Sequence, residues 1–217
     1  MEPMKLAVAK GRIAEKARAL LSEGGIAFPD TLYDERKLVI TSIDGSFQLL
    51  FVKAADVPTY VEKGAADIGI VGKDTIMEDG KDVYELQDLG FGKCQLVVAG
   101  FPGSFPDDAK YLTVATKYPA ITKEYFDKAG IRTDISRLNG SIELAPIVGL
   151  SEVIVDIVET GSTLRDNGLV VLKEIAKVST RVIANKASYA TRTEEVQTCI
   201  ELLKKGVKER REDSYQT

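Results

Sequence analysis

The chain has 217 residues, of which 44% are hydrophobic and 29% charged, and its formal net charge at pH 7 is −4. This composition is typical of a globular protein with room for one large domain or two small ones, and the acidic balance argues against a general nucleic-acid binder. No apolar run approaches the roughly 20 residues of a membrane span, and the N-terminus lacks a signal peptide's apolar stretch. We therefore expect a cytoplasmic protein.

The chain contains no histidine and two cysteines, Cys94 and Cys199. The lack of histidine excludes Ser–His and Cys–His nucleophilic machinery and imidazole metal sites. Acid–base chemistry therefore falls to Asp, Glu, Lys, Tyr or the substrate itself. The cysteines show no metal-binding spacing, and we expect both to be free thiols.

The first half of the chain alternates strand and helix patterns. Asp44-Gly45 predicts a hairpin turn, Gly24 a helix end, and Pro58 the first turn of a helix that Asp56 caps. The expected strands are 5–9, 38–43, 47–53, 67–71 and 95–101, and the expected helices are 13–23, 56–63 and 73–78.

A second strand–helix series follows residues 101–110, whose two prolines and one glycine suggest a crossing between domains. Strands are expected at 112–116, 133–138 and 153–158, helices at 119–129, 141–150 and 194–207, and extended chain at 170–185. The whole pattern predicts an α/β protein with two lobes, residues 1–101 plus 184–217 and residues 102–183. A ligand is then expected in the cleft between the lobes, near the carboxyl ends of the strands.

Residues 153–169, VIVDIVETGSTLRDNGL, combine a buried strand with a candidate anion-binding turn. The apolar run is typical of a strand in a parallel sheet, and the polar residues after it lead into a short helix. At such a join, free N–H groups and the positive end of the helix dipole converge on one point. The hydroxyls of Thr160, Ser162 and Thr163 can add donors.

Two carboxylates, Asp156 and Glu159, lie just upstream of this turn. They would repel a phosphate directly, so they indicate hydroxyls or a metal instead. A ligand with both a phosphate and a ribose diol fits this layout. An ordinary capped helix with solvated acids is the alternative.

Three other stretches could meet the central one. Lys10-Gly11-Arg12 places cations at a helix start, where they oppose the dipole and so suggest a recruited polyanion or simply solvated charges. Residues 67–74, DIGIVGKD, carry glycines that permit close ligand approach or tight packing. In residues 139–149, Ser141 is expected to cap a helix, and Glu143 either complements the dipole or reaches a ligand.

Residues 143–164, ELAPIVGLSEVIVDIVETGSTL, resemble the signature of the ATP phosphoribosyltransferase family. The resemblance extends to residues 10–12, 56–60 and 67–72 and covers the chain to about residue 192. One departure is Lys53, where many relatives are expected to have Arg. The change keeps a cation but loses the bidentate fork.

The resemblance implies the transfer of phosphoribosyl from phosphoribosyl pyrophosphate (PRPP) to N1 of ATP with release of pyrophosphate, the first step of histidine biosynthesis. It also implies a two-lobe fold like that of periplasmic binding proteins. Because the chain resembles the short form of the family, it implies a homodimeric catalytic unit in a hetero-octamer with a regulatory subunit similar to histidyl-tRNA synthetase.

The resemblance further implies roles for individual residues, with Mg²⁺ bound through the substrate phosphates rather than by a direct protein site. The expected catalytic residues are Asp156, Glu159 and Glu143. PRPP is expected to contact Asp156, Thr160, Gly161, Ser162, Thr163 and Leu164. ATP or pyrophosphate is expected to contact Lys10, Gly11, Arg12, Lys53, Asp67 and Gly72.

Two rivals stay open at this point. Two lobes also suit a solute-binding receptor or a ligand-sensing domain without catalysis. A phosphoribosyltransferase with a different acceptor base would carry the same phosphate turn, since fold and turn do not identify the acceptor.

Overall fold

The computed structural model describes residues 2–29 and 37–213, with side chains described as far as Val207. The chain divides into two compact units. Unit 1 comprises Met1–Gly92 and Ser179–Thr217, and unit 2 comprises Lys93–Val178. Within the described ranges, no helix is long and apolar enough to cross a membrane.

Unit 1 contains a six-stranded sheet in which β1, β3 and β4 are parallel and β2, at one edge, is antiparallel to β3. At the other side β11 lies antiparallel between β4 and β5. The strands are β1 Met4–Ala9, β2 Val39–Thr41, β3 Phe47–Val52, β4 Ile68–Gly72, β5 Tyr84–Asp88 and β11 Thr180–Ala184.

Five helices lie within the described residues of unit 1. They are α1 Arg12–Glu23, α2 Val57–Glu62, α3 Lys73–Asp79, α7 Lys186–Thr191 and α8 Thr193–Asp213. A short 3₁₀ turn, Ala54–Asp56, precedes α2. The expected helix start at Asp56 is therefore nearly correct, but its side chain forms no capping hydrogen bond.

Helices α1 and α8 cover one face of this sheet through their apolar stripes. Leu20 and Leu21 of α1 are buried in the same cluster as Leu203 of α8 and the sheet residues Leu6 and Ile70. The helices approach closely at a glycine, because a Cβ at Gly206 would lie 2.6 Å from the Leu20 carbonyl oxygen. Burial in this core raises the pKa of the Cys199 thiol to about 12.

Unit 2 contains a five-stranded sheet with the order β10-β6-β9-β7-β8. Strands β7, β8 and β9 are parallel, and β6 lies antiparallel between β9 and β10. The strands are β6 Cys94–Gly100, β7 Tyr111–Thr116, β8 Arg132–Arg137, β9 Val153–Val158 and β10 Val170–Val178, and the helices are α4 Pro119–Lys128, α5 Leu144–Ile147 and α6 Ser162–Asp166.

Helices lie on both faces of the unit 2 sheet. Phe126 of α4 packs with Val153 and Val155 on one face. Ala145 of α5 and Leu164 of α6 pack with Ile154 on the other. This alternation along β9 is that of a strand buried on both faces.

The crossings between the units differ from the expected position. Strand β6 pairs along its length with β9 and β10 and therefore belongs to unit 2. The segment 101–110 joins β6 to β7 within that unit, and the chain crosses between β5 and β6 and again between β10 and β11. The proline-rich segment looked like a linker by composition, but strand pairing decides which unit holds β6.

Most sequence-predicted elements are confirmed, including the 44–45 hairpin and the βα series of unit 2. Strand β5 and helix α7 were not predicted. The helix expected at 141–150 is only the four residues of α5, and Ser141 does not cap it because Glu143 occupies the N-cap position. Ser141 has a φ of 50°, the one positive value among the described non-glycine residues.

Candidate functional site

The carboxyl edge of the unit 2 sheet is formed where three parallel strands end. Strands β7, β8 and β9 run in one direction, so the residues that follow Thr116, Arg137 and Val158 share this edge. The predicted anion-binding turn follows β9 at this edge. This is the position at which α/β sheets usually bind ligands.

The β9–α6 connection has the geometry of an anion-binding turn. Gly161 precedes α6 with φ 72° and ψ 10°, a left-handed conformation that favours glycine. The first N–H groups of a helix have no partner inside the helix. Within the described residues, the N–H groups of Gly161, Thr163 and Leu164 have no hydrogen-bond partner.

Hydroxyl groups surround these donors. The hydroxyls of Thr160 and Ser162 lie 3.1 Å apart and share a hydrogen bond. The Ser162 N–H also points to the Thr160 hydroxyl at 3.4 Å. Both side chains and that of Thr163 are exposed, whereas Leu164 is 4% exposed and anchors α6 in the core. The five residues expected at the PRPP phosphate are thus three hydroxyl residues, one glycine and one apolar anchor.

Asp156 lies on the face of β9 that carries α5 and α6. Side chains alternate along a strand, and its neighbours on this face, Ile154 and Val158, pack with Leu164 of α6. The Asp156 carboxylate is partly buried and accepts a hydrogen bond from the Ile157 N–H at 2.8 Å. Asp156 lies on the sheet face that α6 covers, just before the turn, and this position suits contact with a sugar hydroxyl.

Glu159 and Glu143 also lie at this edge. Glu159 is exposed and directly follows β9. Glu143 is partly buried and stands immediately before α5, in the connection that leaves the end of β8. The structure therefore places one predicted acid of unit 2 in the last half of a parallel strand and the other two in connections that follow parallel strands.

The carboxyl edge of the unit 1 sheet carries a pair of lysines. Ala9 pairs with Val52, and the Lys10 N–H donates to the Val52 carbonyl at 2.9 Å, so Lys10 and Lys53 end adjacent parallel strands. Both are exposed, and neither forms an ion pair within the described ranges. Like charges on neighbouring strands repel, which favours a bound anion.

Gly11 and Arg12 complete this edge at the start of α1. Gly11 has φ 87°, and a Cβ there would meet nothing within 4 Å, so its backbone angle rather than crowding favours glycine. Arg12 is the first residue of α1 and is exposed. The structure thus brings together Lys10, Gly11, Arg12 and Lys53.

Packing explains one of the two glycines in residues 67–74. A Cβ at Gly69 would lie 2.8 Å from side-chain atoms of Ile183 and Val61. A Cβ at Gly72 would meet only the Asp74 carboxylate, the end of a flexible side chain that can move aside, so packing does not explain this glycine. Gly72 shares the carboxyl edge of the sheet, and the lysine after it, Lys73, is paired with Glu85.

Asp67 is not brought to the other predicted residues. It precedes β4, at the opposite edge of the sheet from Lys10 and Lys53. Its carboxylate accepts hydrogen bonds from the Lys5 N–H at 2.9 Å, the Ser188 hydroxyl at 2.7 Å and Arg192 at 3.2 Å. These bonds tie β1 to the C-terminal helices, which is a structural role.

Sequence reasoning missed one cation at the unit 2 site. Arg165, in the last turn of α6, donates from Nη1 to the Thr160 carbonyl oxygen at 3.0 Å. The Arg at 165 was visible within the central stretch, but a basic residue near a helix end has an ordinary explanation.

Two α/β units, each with a glycine-started helix and anion-seeking groups at the carboxyl edge of a sheet, define a protein that handles phosphorylated small molecules. The family model described as HisG, ATP phosphoribosyltransferase, matches residues 53–205. ATP phosphoribosyltransferases of Oceanobacillus iheyensis and Clostridioides difficile are 50% and 51% identical to this chain. Those alignments cover 94% and 93% of this chain and 98% and 97% of the relatives. The chain belongs to the ATP phosphoribosyltransferase family.

Solved structures agree with this assignment. The ATP phosphoribosyl transferase (HisG:HisZ) complex from Thermotoga maritima matches with a TM-score of 0.84 at 36% identity, covering 95% of this chain and 99% of that chain. The periplasmic aliphatic sulphonate binding protein SsuA from Escherichia coli matches with a TM-score of 0.58 at 13% identity, covering 100% of this chain and 76% of that chain. The second likeness shows the fold alone and confirms the expected class. The chain is a phosphoribosyltransferase of the first step of histidine biosynthesis.

Proposed function

We propose that the β9–α6 connection binds the 5-phosphate of PRPP. The observation that carries the proposal is the set of N–H groups at Gly161, Thr163 and Leu164, which lack partners within the described residues. The hydroxyls of Thr160 and Ser162 add donors beside them. A phosphate has enough acceptor oxygens to use both kinds of donor.

We propose that Asp156 and Glu159 bind the ribose diol of the same substrate. Carboxylates accept hydrogen bonds from hydroxyls, whereas they would repel the phosphate or the pyrophosphate. Asp156 lies on the α6 face of β9, so it can approach the ring of a sugar whose phosphate occupies the turn. The negative charge also stabilises the positive charge that develops on the ring as pyrophosphate departs.

The reaction then needs little acid–base chemistry. Adenine N1 donates its lone pair to C1′ of PRPP, the bond from C1′ to the pyrophosphate oxygen breaks, and pyrophosphate takes that electron pair. N1 carries no proton that must be removed first, which suits a chain without histidine. Catalysis comes from positioning and charge stabilisation, and Glu143 is proposed to orient a substrate.

The cations of unit 1 are proposed to bind the pyrophosphate of PRPP or the phosphates of ATP. Lys10 and Lys53 end adjacent strands, and Arg12 starts the helix that follows. Such a cluster is stabilised by a polyanion, which removes the repulsion between the lysines. Asp67 is left out because its carboxylate is bonded within unit 1. Gly72 ends β4, the strand beside β1, and stays in the proposed set.

We propose that Mg²⁺ enters with the substrate. Among the described residues, no group of three or more carboxylates and cysteines could hold a metal ion. Mg²⁺ commonly binds through substrate phosphates and one or two carboxylates. The carboxylates at the carboxyl edge of the unit 2 sheet fit that mode. An ion held in this way would supply charge neutralisation for the departing pyrophosphate.

We also propose that the chain works as a homodimer within a hetero-octamer that contains a regulatory subunit similar to histidyl-tRNA synthetase. The support is the likeness to the catalytic chain of the Thermotoga maritima HisG:HisZ complex over 95% of this chain. A cytoplasmic location fits the two free cysteines.

The test is pyrophosphate release by the purified chain with PRPP and Mg²⁺, in the presence and absence of ATP. The expected result is ATP-dependent release with formation of phosphoribosyl-ATP. A panel of free bases and nucleotides replaces ATP in parallel reactions. Turnover with another acceptor and not with ATP would contradict the acceptor assignment. Binding of PRPP without turnover, even with the regulatory subunit added, would favour a binding module.

A further inference from the structure

Arg165 reaches back along α6 to the turn that precedes this helix. Its backbone is in the last turn, yet Nη1 donates to the Thr160 carbonyl oxygen at 3.0 Å. The same atom lies 3.2 Å from the position of a Cβ at Gly161. The guanidinium therefore lies against the Thr160–Gly161 peptide.

This contact fixes the direction of one N–H donor. In a trans peptide the C=O of one residue and the N–H of the next lie in one plane and point in opposite directions. With the Thr160 carbonyl held by Arg165, the Gly161 N–H is directed away from the guanidinium. No described residue accepts a hydrogen bond from this N–H.

The charge of Arg165 is placed against the local helix dipole. A basic residue in a last turn ordinarily complements the negative end of the dipole. Here the guanidinium contacts Thr160, at the positive end of a five-residue helix. Within the described part of the chain, Arg165 forms no ion pair. An anion bound in the turn would supply the counter-charge.

We infer that Arg165 is a positioning residue for the sugar-phosphate group of the substrate. It holds the Thr160–Gly161 peptide with the N–H presented to the phosphate, and its charge favours the anion in the turn. The inference rests on the proposed function of this turn and adds a residue to it.

The experiment measures the dissociation constants of PRPP and of inorganic pyrophosphate, each with Mg²⁺, for the full chain by titration calorimetry. Arg165→Ala is expected to weaken PRPP binding by about tenfold, because it removes a charge-assisted hydrogen bond that orders the turn. Pyrophosphate binding is expected to change by less than about twofold, since pyrophosphate has no 5-phosphate for the turn. Arg165→Lys retains the charge but not the planar fork and should fall between the wild type and Arg165→Ala.

Arg132→Ala is the matched control. Arg132 is an exposed arginine at the start of β8, at the opposite edge of the same sheet. This variant should bind both ligands as the wild type does, and thermal unfolding of every variant checks that the fold is intact.

The outcomes separate the two proposals. If Thr163→Val weakens PRPP binding and Arg165→Ala does not, the turn binds phosphate and the role of Arg165 is wrong. An equal loss of PRPP and pyrophosphate binding in Arg165→Ala would also overturn that role. If wild-type chain fails to bind PRPP, or if both variants bind it normally, the proposed function of the turn itself is wrong.

Discussion

The β1–α1 and β9–α6 connections share the order strand, glycine, helix but carry side chains of opposite charge. Each leaves the carboxyl end of a parallel strand, passes through a glycine with positive φ, 87° at Gly11 and 72° at Gly161, and enters a helix. Neither helix has a side-chain cap. Both therefore offer N–H groups to an anion.

The flanking residues differ between the two connections, and under the proposed assignment they favour different ligands. Lys10 and Arg12 surround the first glycine, whereas Glu159 and hydroxyl side chains surround the second. Cations suit a highly charged pyrophosphate or triphosphate. Hydroxyls and carboxylates suit a phosphate attached to a sugar, because each part of that ligand needs a different partner. Under the proposed assignment, the backbone N–H groups favour an anion and the side chains determine which anion binds.

The largest expected effect comes from removing the negative charge of Asp156, just before the β9–α6 connection. Asp156→Asn keeps the shape and removes the negative charge, and we expect kcat/KM to fall by about 100-fold because charge stabilisation in the transition state is lost. Steady-state kinetics with saturating ATP measure it. Asp134→Asn, an exposed acid on β8, is the control. Full turnover of Asp156→Asn would reduce Asp156 to a scaffold residue.

Thr163→Val tests the donors of the same connection. The variant keeps the side-chain shape and removes one hydroxyl, so we expect the PRPP dissociation constant to rise by about tenfold and that of ATP to stay unchanged. Thr163→Ser retains the hydroxyl and should bind PRPP nearly as the wild type does. Unchanged PRPP affinity in Thr163→Val would contradict the phosphate assignment.

Paired glycine substitutions compare the connections directly. Alanine at Gly161 would adopt the left-handed helical conformation, which costs about 1 kcal/mol of unfolding free energy. Gly11, with φ 87° and ψ −146°, lies near a region that is essentially restricted to glycine, so alanine there costs about 1–3 kcal/mol. Gly161→Ala also meets Arg165 Nη1 at 3.2 Å, whereas Gly11→Ala enters open space. Because the arginine side chain can move aside at little cost, chemical denaturation should show the larger loss of unfolding free energy for Gly11→Ala. A larger loss for Gly161→Ala would show that Arg165 resists displacement from Thr160.

The smallest expected effect comes from changing Lys10 in the β1–α1 connection. Lys10→Ala leaves Lys53 and Arg12 in place, so we expect pyrophosphate or ATP binding to weaken by about threefold, and less at high salt. Titration calorimetry at two salt concentrations measures this change. Lys63→Ala, which removes an exposed lysine just after α2, is the control. A loss confined to the control would contradict the assignment of the edge lysines.

The amino-acid sequence by itself determined most local structure. The apolar run of 153–158 and the polar turn after it predicted β9 and the start of α6, because burial on two faces and a free helix start each leave a clear pattern. Asp44-Gly45 predicted the hairpin of β2 and β3 in the same way. The absence of histidine restricts the possible acid–base and nucleophilic chemistry whatever the fold.

Only the tertiary structure decided matters that depend on partners distant in the sequence. Strand β6 belongs to unit 2 because it pairs with β9, more than 50 residues later, and composition cannot encode that pairing. Asp67 looked like a ligand residue, but Arg192 and Ser188 come to it through the fold. Arg165 contacts Thr160, which lies just before α6 and only five residues earlier in the chain. Even so, the direction of the arginine side chain follows from its rotamer and packing, which a residue pattern does not contain.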